Sequence, residues 1–333
     1  MDIIAIGRTK NLYNAIRSVV ELGHNVTAII TAQAAPEYDV KEKDFSELAE
    51  RIGCPFYDLS QQTFSIDEIL ASIGEADIGI SVNWIRIFTQ EVIDRFRIGI
   101  LNAHFGDLPK HRGNACLNWA MIAGENEAVL SVHLVEGEKL DCGRIVCQDR
   151  MPLEEETTVG DVVNWSNKAA PQLFSSSIQL LAEDPEYTLK YAPCDDSEGY
   201  RCYPRTPDDS YIDWTSSAVE IDRLVKASSS PFRGAYTYIS EDGALKRLYI
   251  LKSKIVSHDT NHLGAPGRVL MNDKETGCTH VMCGRGVLEV SQCQIDDGKA
   301  FSPGRYFRSI RIKFGVRVED YLWERMRDGD PVD

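Results

Sequence analysis

The sequence contains no run of about 18 or more apolar residues, so no segment has the length of a membrane-spanning helix. Positive charge is scarce: Lys and Arg total 36 against 51 Asp and Glu, a formal net charge of −15. Phosphate attraction needs a basic surface, so a dedicated nucleic-acid binder is disfavoured. Paired cysteines are missing as well. The nine cysteines (54, 116, 142, 147, 194, 202, 278, 283 and 293) form an odd, scattered set without Cys-x-x-Cys. Reduced, mostly buried thiols in a cytoplasmic protein are the expectation. The turn Gly7-Arg8-Thr9 lacks the further glycines of a dinucleotide-binding loop. The start, Met1-Asp2-Ile3-Ile4-Ala5-Ile6-Gly7, has no positive region ahead of an apolar one and reads as a strand, not a secretion signal.

What is present is a regular alternation. Strands are expected at 2–6, 26–30, 78–82 and 98–104, and helices over 12–20, 43–52, 65–73 and 90–96. The 65–73 helix opens on the capping box Ser65-Ile66-Asp67-Glu68. This order predicts an α/β fold, a doubly wound, Rossmann-like parallel sheet. A helix over 114–123, strands at 130–135 and 144–147, and a long helix from 159 to 182 follow. Four prolines with several Asp and Ser residues mark a connector between 184 and 210. Beyond a helix at 218–228, short β runs punctuated by glycine indicate a smaller, mostly β, OB-like domain. Two domains fit the length: 1–190, a linker at 191–210, and 211–333.

The chemistry concentrates at Asn102-Ala103-His104, the end of an expected strand. Side chains two apart on a strand share a face, and strand carboxyl ends are where open α/β sheets bind ligands. An imidazole there can take a proton, and an amide can hold a developing oxyanion. Asp141, between the next two strands, is placed to orient the imidazole. A core histidine and an aspartate capping the turn at Cys142-Gly143 would be the ordinary alternative for either residue alone. No metal site is expected: Cys278, His280 and Cys283 lack the paired spacing of structural zinc.

Three segments together resemble the formyltransferases that use N10-formyltetrahydrofolate. They are Asn102-Ala103-His104, Leu108-Pro109-Lys110-His111-Arg112-Gly113 and Leu140-Asp141-Cys142-Gly143-Arg144-Ile145-Val146. Tyr203–Ser210, Ile212-Asp213-Trp214 and Pro231–Tyr236 are similar to that family's linker and the start of its C-terminal domain. The resemblance implies a catalytic trio of Asn102, His104 and Asp141. It also implies a pterin pocket between two loops, one carrying Trp84, Arg86 and Ile87, the other Val135, Gly137 and Leu140. Core packing is the alternative for Trp84 and Ile87, and Arg112 is either a loop anchor, the favoured reading, or a contact for an anionic ligand.

Within that family the acceptor amine belongs to methionyl-tRNA, a nucleotide-linked amino sugar, or glycinamide ribonucleotide. The last lacks a comparable second domain. The short 31–42 segment has Lys41 as its one base, and the net charge of −15 offers little to a polynucleotide. The turn Gly7-Arg8-Thr9-Lys10-Asn11 also replaces the Gly-Thr-Pro of the tRNA enzymes. The expected acceptor is therefore a nucleotide-linked amino sugar in bacterial surface-polysaccharide synthesis, with methionyl-tRNA as the alternative. Arg8, Lys10, Tyr203 and Arg205 are candidate substrate contacts, and a homodimer is expected. A folate- or nucleotide-sugar-binding protein without turnover is the alternative of another class.

Overall fold

The computed structural model describes residues 1–36, 38–60, 65–194, 199–259 and 261–328. Two compact units divide the chain. The first comprises Met1–Ala120, Glu127–Leu153 and Val162–Pro204; the second comprises Met121–Asn126, Glu154–Asp161 and Arg205–Asp333. Residues 195–198 of the expected connector lie outside the described residues.

The first half of the chain runs β1 (Asp2–Gly7), α1 (Thr9–Glu21), β2 (Asn25–Thr31), α2 (Glu42–Ile52), β3 (Phe56–Asp58), α3 (Ile66–Ile73), β4 (Ala76–Val82), α4 (Gln90–Ile93) and β5 (Phe96–His104). There follow β6 (His111–Gly113), α5 (Cys116–Ala123), β7 (Glu127–Leu134), β8 (Gly143–Pro152), α6 (Val159–Glu183), β9 (Lys190–Ala192) and β10 (Tyr200–Cys202). The main sheet has the order β3-β2-β1-β4-β5-β7-β8-β9. From β3 to β5 the strands are parallel, as alternation with helices requires.

Past β5 the sheet departs from the doubly wound expectation: β7, β8 and β9 each pair antiparallel to their neighbour. The connection from Leu134 to Gly143 is too short for a parallel crossover, which needs about a dozen residues. The expected helix 90–96 also stops early. Phe96 is already in register with Ala76, so the sheet ladder claims the residues that helical spacing had assigned to α4.

Both faces of the sheet are covered, which is why its strands are nearly continuous apolar runs. On one face Ile3, Ile78 and Ile80 pack with Leu12, Ile16 and Val19 of α1, Phe45 of α2, and Phe174 and Ile178 of α6. On the other, Ile4, Ile6 and Ile100 pack with Ile69 and Leu70 of α3 and Val92 of α4. The capping box forms as read: Glu68 N–H donates to Ser65 Oγ at 3.2 Å, and Ser65 N–H donates to Glu68 Oε2 at 2.8 Å.

The second unit holds α7 (Ala218–Ser228), β11 (Ala235–Glu241), β12 (Ala244–Ser257), β13 (Val269–Asn272), β14 (Thr279–Met282), β15 (Val287–Ile295), α8 (Pro303–Tyr306) and α9 (Val318–Asp328). Its five strands form an antiparallel sheet, order β11-β12-β15-β14-β13. Ile221 and Val225 of α7 pack with Ile250, Leu288 and Val290 in a separate core. Among the described residues no helix is long and apolar enough to cross a membrane.

Phe174 is fully buried between α6 and the sheet. Phe174→Ala is expected to cost about 3 kcal/mol or more, through lost transfer energy and a residual cavity. Urea unfolding followed by circular dichroism measures it.

Candidate active site

The site grows from the carboxyl end of β5. His104 is the last strand residue and is buried; Asn102 is half-buried two positions before it. Asp141 reaches them from the turn between β7 and β8, with its Oδ2 3.4 Å from His104 Nδ1. The same oxygen accepts the Gly113 N–H at 2.8 Å, which ties the loop after β5 to the turn. Asp141 sits at φ 51°, in the left-handed region that Asp tolerates better than most residues. Two residues on, Gly143 has φ 117°, and a Cβ there would lie 2.2 Å from the Leu134 carbonyl oxygen. The Asp-x-Gly spacing therefore has a local cause: only glycine lets the chain pass so close to the end of β7. His104 Nε2 donates to the His111 carbonyl at 2.8 Å.

Sequence reasoning missed the residue beneath Asn102. His133 on β7 is directly in register with Asn102, has no exposed surface, and lies with Nε2 3.3 Å from Asn102 Nδ2. Its Nδ1 donates to the Cys142 carbonyl at 3.1 Å. Burial pushes its pKa down to about 4, and a charged His104 opposes its protonation further. Two residues before it on the same face of β7, Ser131 pairs with His104 and holds the loop. Its hydroxyl donates to the Gly106 carbonyl at 2.7 Å and accepts from Gln148 Nε2 at 2.8 Å. No periodicity marks these partners, because each belongs to the site only through strand register.

The cysteines depart from expectation at one pair. Cys142 and Cys194 form a disulfide with a Cα–Cα distance of 5.2 Å, inside the range a bridge spans. Arg112 is an anchor: its guanidinium donates to the Pro193 carbonyl at 3.1 Å. Cys116, hydrogen-bonded to Cys202 and buried, has its thiol pKa pushed up.

The two expected pterin-binding loops meet. Glu138 N–H donates to the Phe88 carbonyl at 2.9 Å, and Val135 N–H donates to Ile100 at 3.0 Å. Gly137 is pressed against Gln90, where a Cβ would lie 2.7 Å from that residue's backbone nitrogen. Trp84 stacks on Phe88 with ring centroids 6.3 Å apart, while Arg86 and Ile87 are exposed and Val135 and Leu140 are half-buried.

Of the candidate substrate contacts, Arg8 lies at the end of β1. It donates to the Gln33 carbonyl at 2.7 Å and the Asn83 carbonyl at 3.2 Å, over the Tyr38 ring at 5.5 Å. Tyr38 accepts from Asn83 Nδ2 at 2.6 Å. Lys10 is exposed in the first turn of α1. Tyr203 is exposed, with Arg201 over its ring at 6.0 Å. Arg205 does not fit the role expected of it. Its guanidinium is turned inward, donating to the Ala227 and Asp209 carbonyls at 3.2 and 3.1 Å and to the Ser210 and Ser228 hydroxyls. It locks the end of α7 to the turn at Pro207–Ser210, and burial lowers its pKa.

The Formyl transferase family model matches residues 1–178, and the Formyl transferase C-terminal domain model matches residues 205–311. The chain belongs to the formyl transferase family. A curated methionyl-tRNA formyltransferase from Lachnospira eligens is 26% identical over 326 residues, covering 96% of this chain and 99% of its own length. Among solved structures, WlaRD, a sugar 3N-formyl transferase crystallised with dTDP and 5-N-formyl-THF, superposes with a TM-score of 0.64 at 16% identity. That match covers 90% of this chain and 99% of WlaRD. An N-formyltransferase from Helicobacter canadensis, in complex with folinic acid and dTDP-3-aminofucose, gives a TM-score of 0.63 at 16% identity. It covers 88% of this chain and 99% of its own. The fold is thus that of the family, and the chain is an enzyme of formyl transfer. Sequence and structural relatives differ in the amine they formylate.

Two expectations follow from this geometry. Gly143→Ala should lose at least about 1 kcal/mol in a urea titration, because the added Cβ cannot pass Leu134. By shifting Asp141 it should also slow formyl transfer about tenfold. Stability should also fall on acidification. The unfolded chain protonates His133 near pH 6.5, while the folded chain resists protonation until about pH 4. This contribution is therefore complete above pH 6.5 and is lost between 6.5 and 4, by at most about 3 kcal/mol. Urea midpoints across that window, in wild type and His133→Gln, measure it.

Proposed function

We propose that the enzyme moves the formyl group of N10-formyltetrahydrofolate to the amine of an amino sugar carried on a nucleoside diphosphate. The observation that carries the acceptor half is the loop between β2 and α2. Its one base, Lys41, is folded back, with Nζ donating to the Ala35 and Pro36 carbonyls at 2.8 and 3.0 Å. That loop extends no cation toward a polynucleotide, and the net charge of −15 supplies no field to attract one. Arg8 on Tyr38, beside Asn83, instead makes a compact cationic and aromatic seat suited to a nucleotide, with Lys10 and Tyr203 as further contacts.

In this reading the pterin lies between the linked loops that carry Trp84, Arg86, Ile87, Val135, Gly137 and Leu140. The amine lone pair attacks the formyl carbon, and the charge that develops on oxygen falls to an Asn102 Nδ2 hydrogen. His104 takes a proton from the amine while Asp141 holds and stabilises the imidazolium. The bond from the formyl carbon to N10 then breaks, and N10 receives the proton. As the amine arrives, the His111 carbonyl gives way and the ring hydrogen it held at His104 Nε2 is carried instead at Nδ1, facing Asp141, which leaves the Nε2 lone pair for the amine's proton. The reading carries with it a cytoplasmic homodimer serving surface-polysaccharide assembly. Transfer to methionyl-tRNA is the second reading, favoured by the curated relative that matches the chain nearly end to end.

The test offers dTDP-3-aminofucose and methionyl-tRNA separately as acceptors with N10-formyltetrahydrofolate, following tetrahydrofolate release. Formylated sugar is expected. Product from the tRNA alone would reverse the acceptor assignment. His104→Ala and Asn102→Ala should each slow the transfer by about a hundredfold or more while staying folded. A folded His104→Ala variant at near-normal kcat would overturn the proposed base.

A further inference from the structure

Beneath the proposed oxyanion donor lies a buried titratable group that the reaction above does not use. We infer that His133, held as its Nδ1–H tautomer by the Cys142 carbonyl, is a positioning residue that fixes which end of the Asn102 carboxamide serves the reaction. The inference rests on the reading of Asn102 as the oxyanion donor.

The argument is one of hydrogen inventory. A backbone carbonyl only accepts, so the 3.1 Å contact to Cys142 puts a hydrogen on His133 Nδ1. The ring has no exposed surface and remains neutral at pH 7, so that hydrogen is its only one, and Nε2 presents a lone pair. The Asn102 atom 3.3 Å away must then be the donor Nδ2 and not Oδ1. The reverse orientation would set two acceptors face to face where the ring is sealed from water, a costly arrangement.

The constraint matters because the two ends of a carboxamide are nearly the same shape, and χ2 of Asn is broad. Packing alone distinguishes them poorly; a fixed hydrogen-bond partner does so. With Nδ2 directed to His133, one of its hydrogens is spent on the imidazole and the second is left for the formyl oxygen. A turned amide would present an oxygen in that place and repel the developing charge. The neighbouring charges do not upset the tautomer. Asp141 favours a second proton on His133, but burial outweighs it. A proton on His104, whose ring centroid is 6.5 Å away, disfavours one. When His104 takes the amine's proton, His133 is therefore held more firmly neutral, and the donor keeps its orientation through the step.

Two measurements test this. In the full chain labelled with 15N-histidine, long-range 1H–15N spectra at pH 7 should show one ring of the seven histidines protonated at Nδ1 and bare at Nε2. That ring is assigned to His133 by its disappearance in His133→Gln. An Nε2–H tautomer or a doubly protonated ring overturns the inference, whatever the acceptor proves to be.

Kinetics complete the test, with dTDP-3-aminofucose or methionyl-tRNA, whichever the wild type uses. His133→Asn keeps a group near Nδ1 but loses the acceptor at Nε2. It should lower kcat about tenfold or more, with KM for the donor within about twofold. His133→Gln, whose amide oxygen reaches the Nε2 position, should recover most of that loss. In an Asn102→Ala background, His133→Asn should have no further effect on kcat. Equal losses in both backgrounds would mean only structural support and would overturn the inference. An Asn102→Ala variant at wild-type rate is a separate failure, because it removes the oxyanion role itself while the spectra still report the tautomer.

Discussion

The antiparallel pairing of β5 with β7 is the constraint on which the site rests. Its register sets Asn102 opposite His133 and His104 opposite Ser131. β7 ends at Leu134, opposite Leu101, and the turn that follows it folds back to bring Asp141 to His104. The side-chain period of a strand is two, so a slip of one residue would turn His133 and Ser131 to the opposite face and leave the amide and the loop unsupported. Ser131 adds a second restraint from the same strand by fastening Gly106 below the loop that ends at Gly113. A few ladder hydrogen bonds thus hold together groups that are distant along the chain.

Much of the fold was legible because its signals are local. The strand–helix alternation, the capping box at Ser65 and the change of texture past the prolines each depend on residues within a few positions of one another. So does the Asn102/His104 pair, since spacing by two needs only an extended backbone. What escaped depends on distant partners. The antiparallel pairing of β8 with β7 follows from a connection too short to cross over, and the end of α4 from the claim of β5 on Phe96. The inward turn of Arg205 requires the end of α7, and the Cys142–Cys194 bridge joins residues 52 apart. His133 was the costliest omission. In sequence it is one more residue of an apolar strand, and only register reveals it.

The family's relatives formylate different amines on one scaffold, and the structure suggests how such a division arises. The reacting centre is built from strand ends and from the turn at Asp141, which the sheet fixes tightly. The features proposed above to favour a nucleotide-linked acceptor lie in other segments, in the loop that folds Lys41 back onto its own carbonyls and where Arg8 lies over Tyr38. Such loops can change without disturbing the register of β5 and β7. A new amine can therefore be admitted without rebuilding the chemistry.

The hydrogen bond from Glu138 to Phe88 has a consequence for the donor's seat. It clips the two walls of the proposed pterin pocket to each other, and the wall beginning at Val135 ends on Asp141. A ring wedged between those walls bears on the same short span of backbone that aims the carboxylate. In the proposed reaction the seat of the donor and the aim of the base would therefore share one stretch of chain, from Val135 to Asp141.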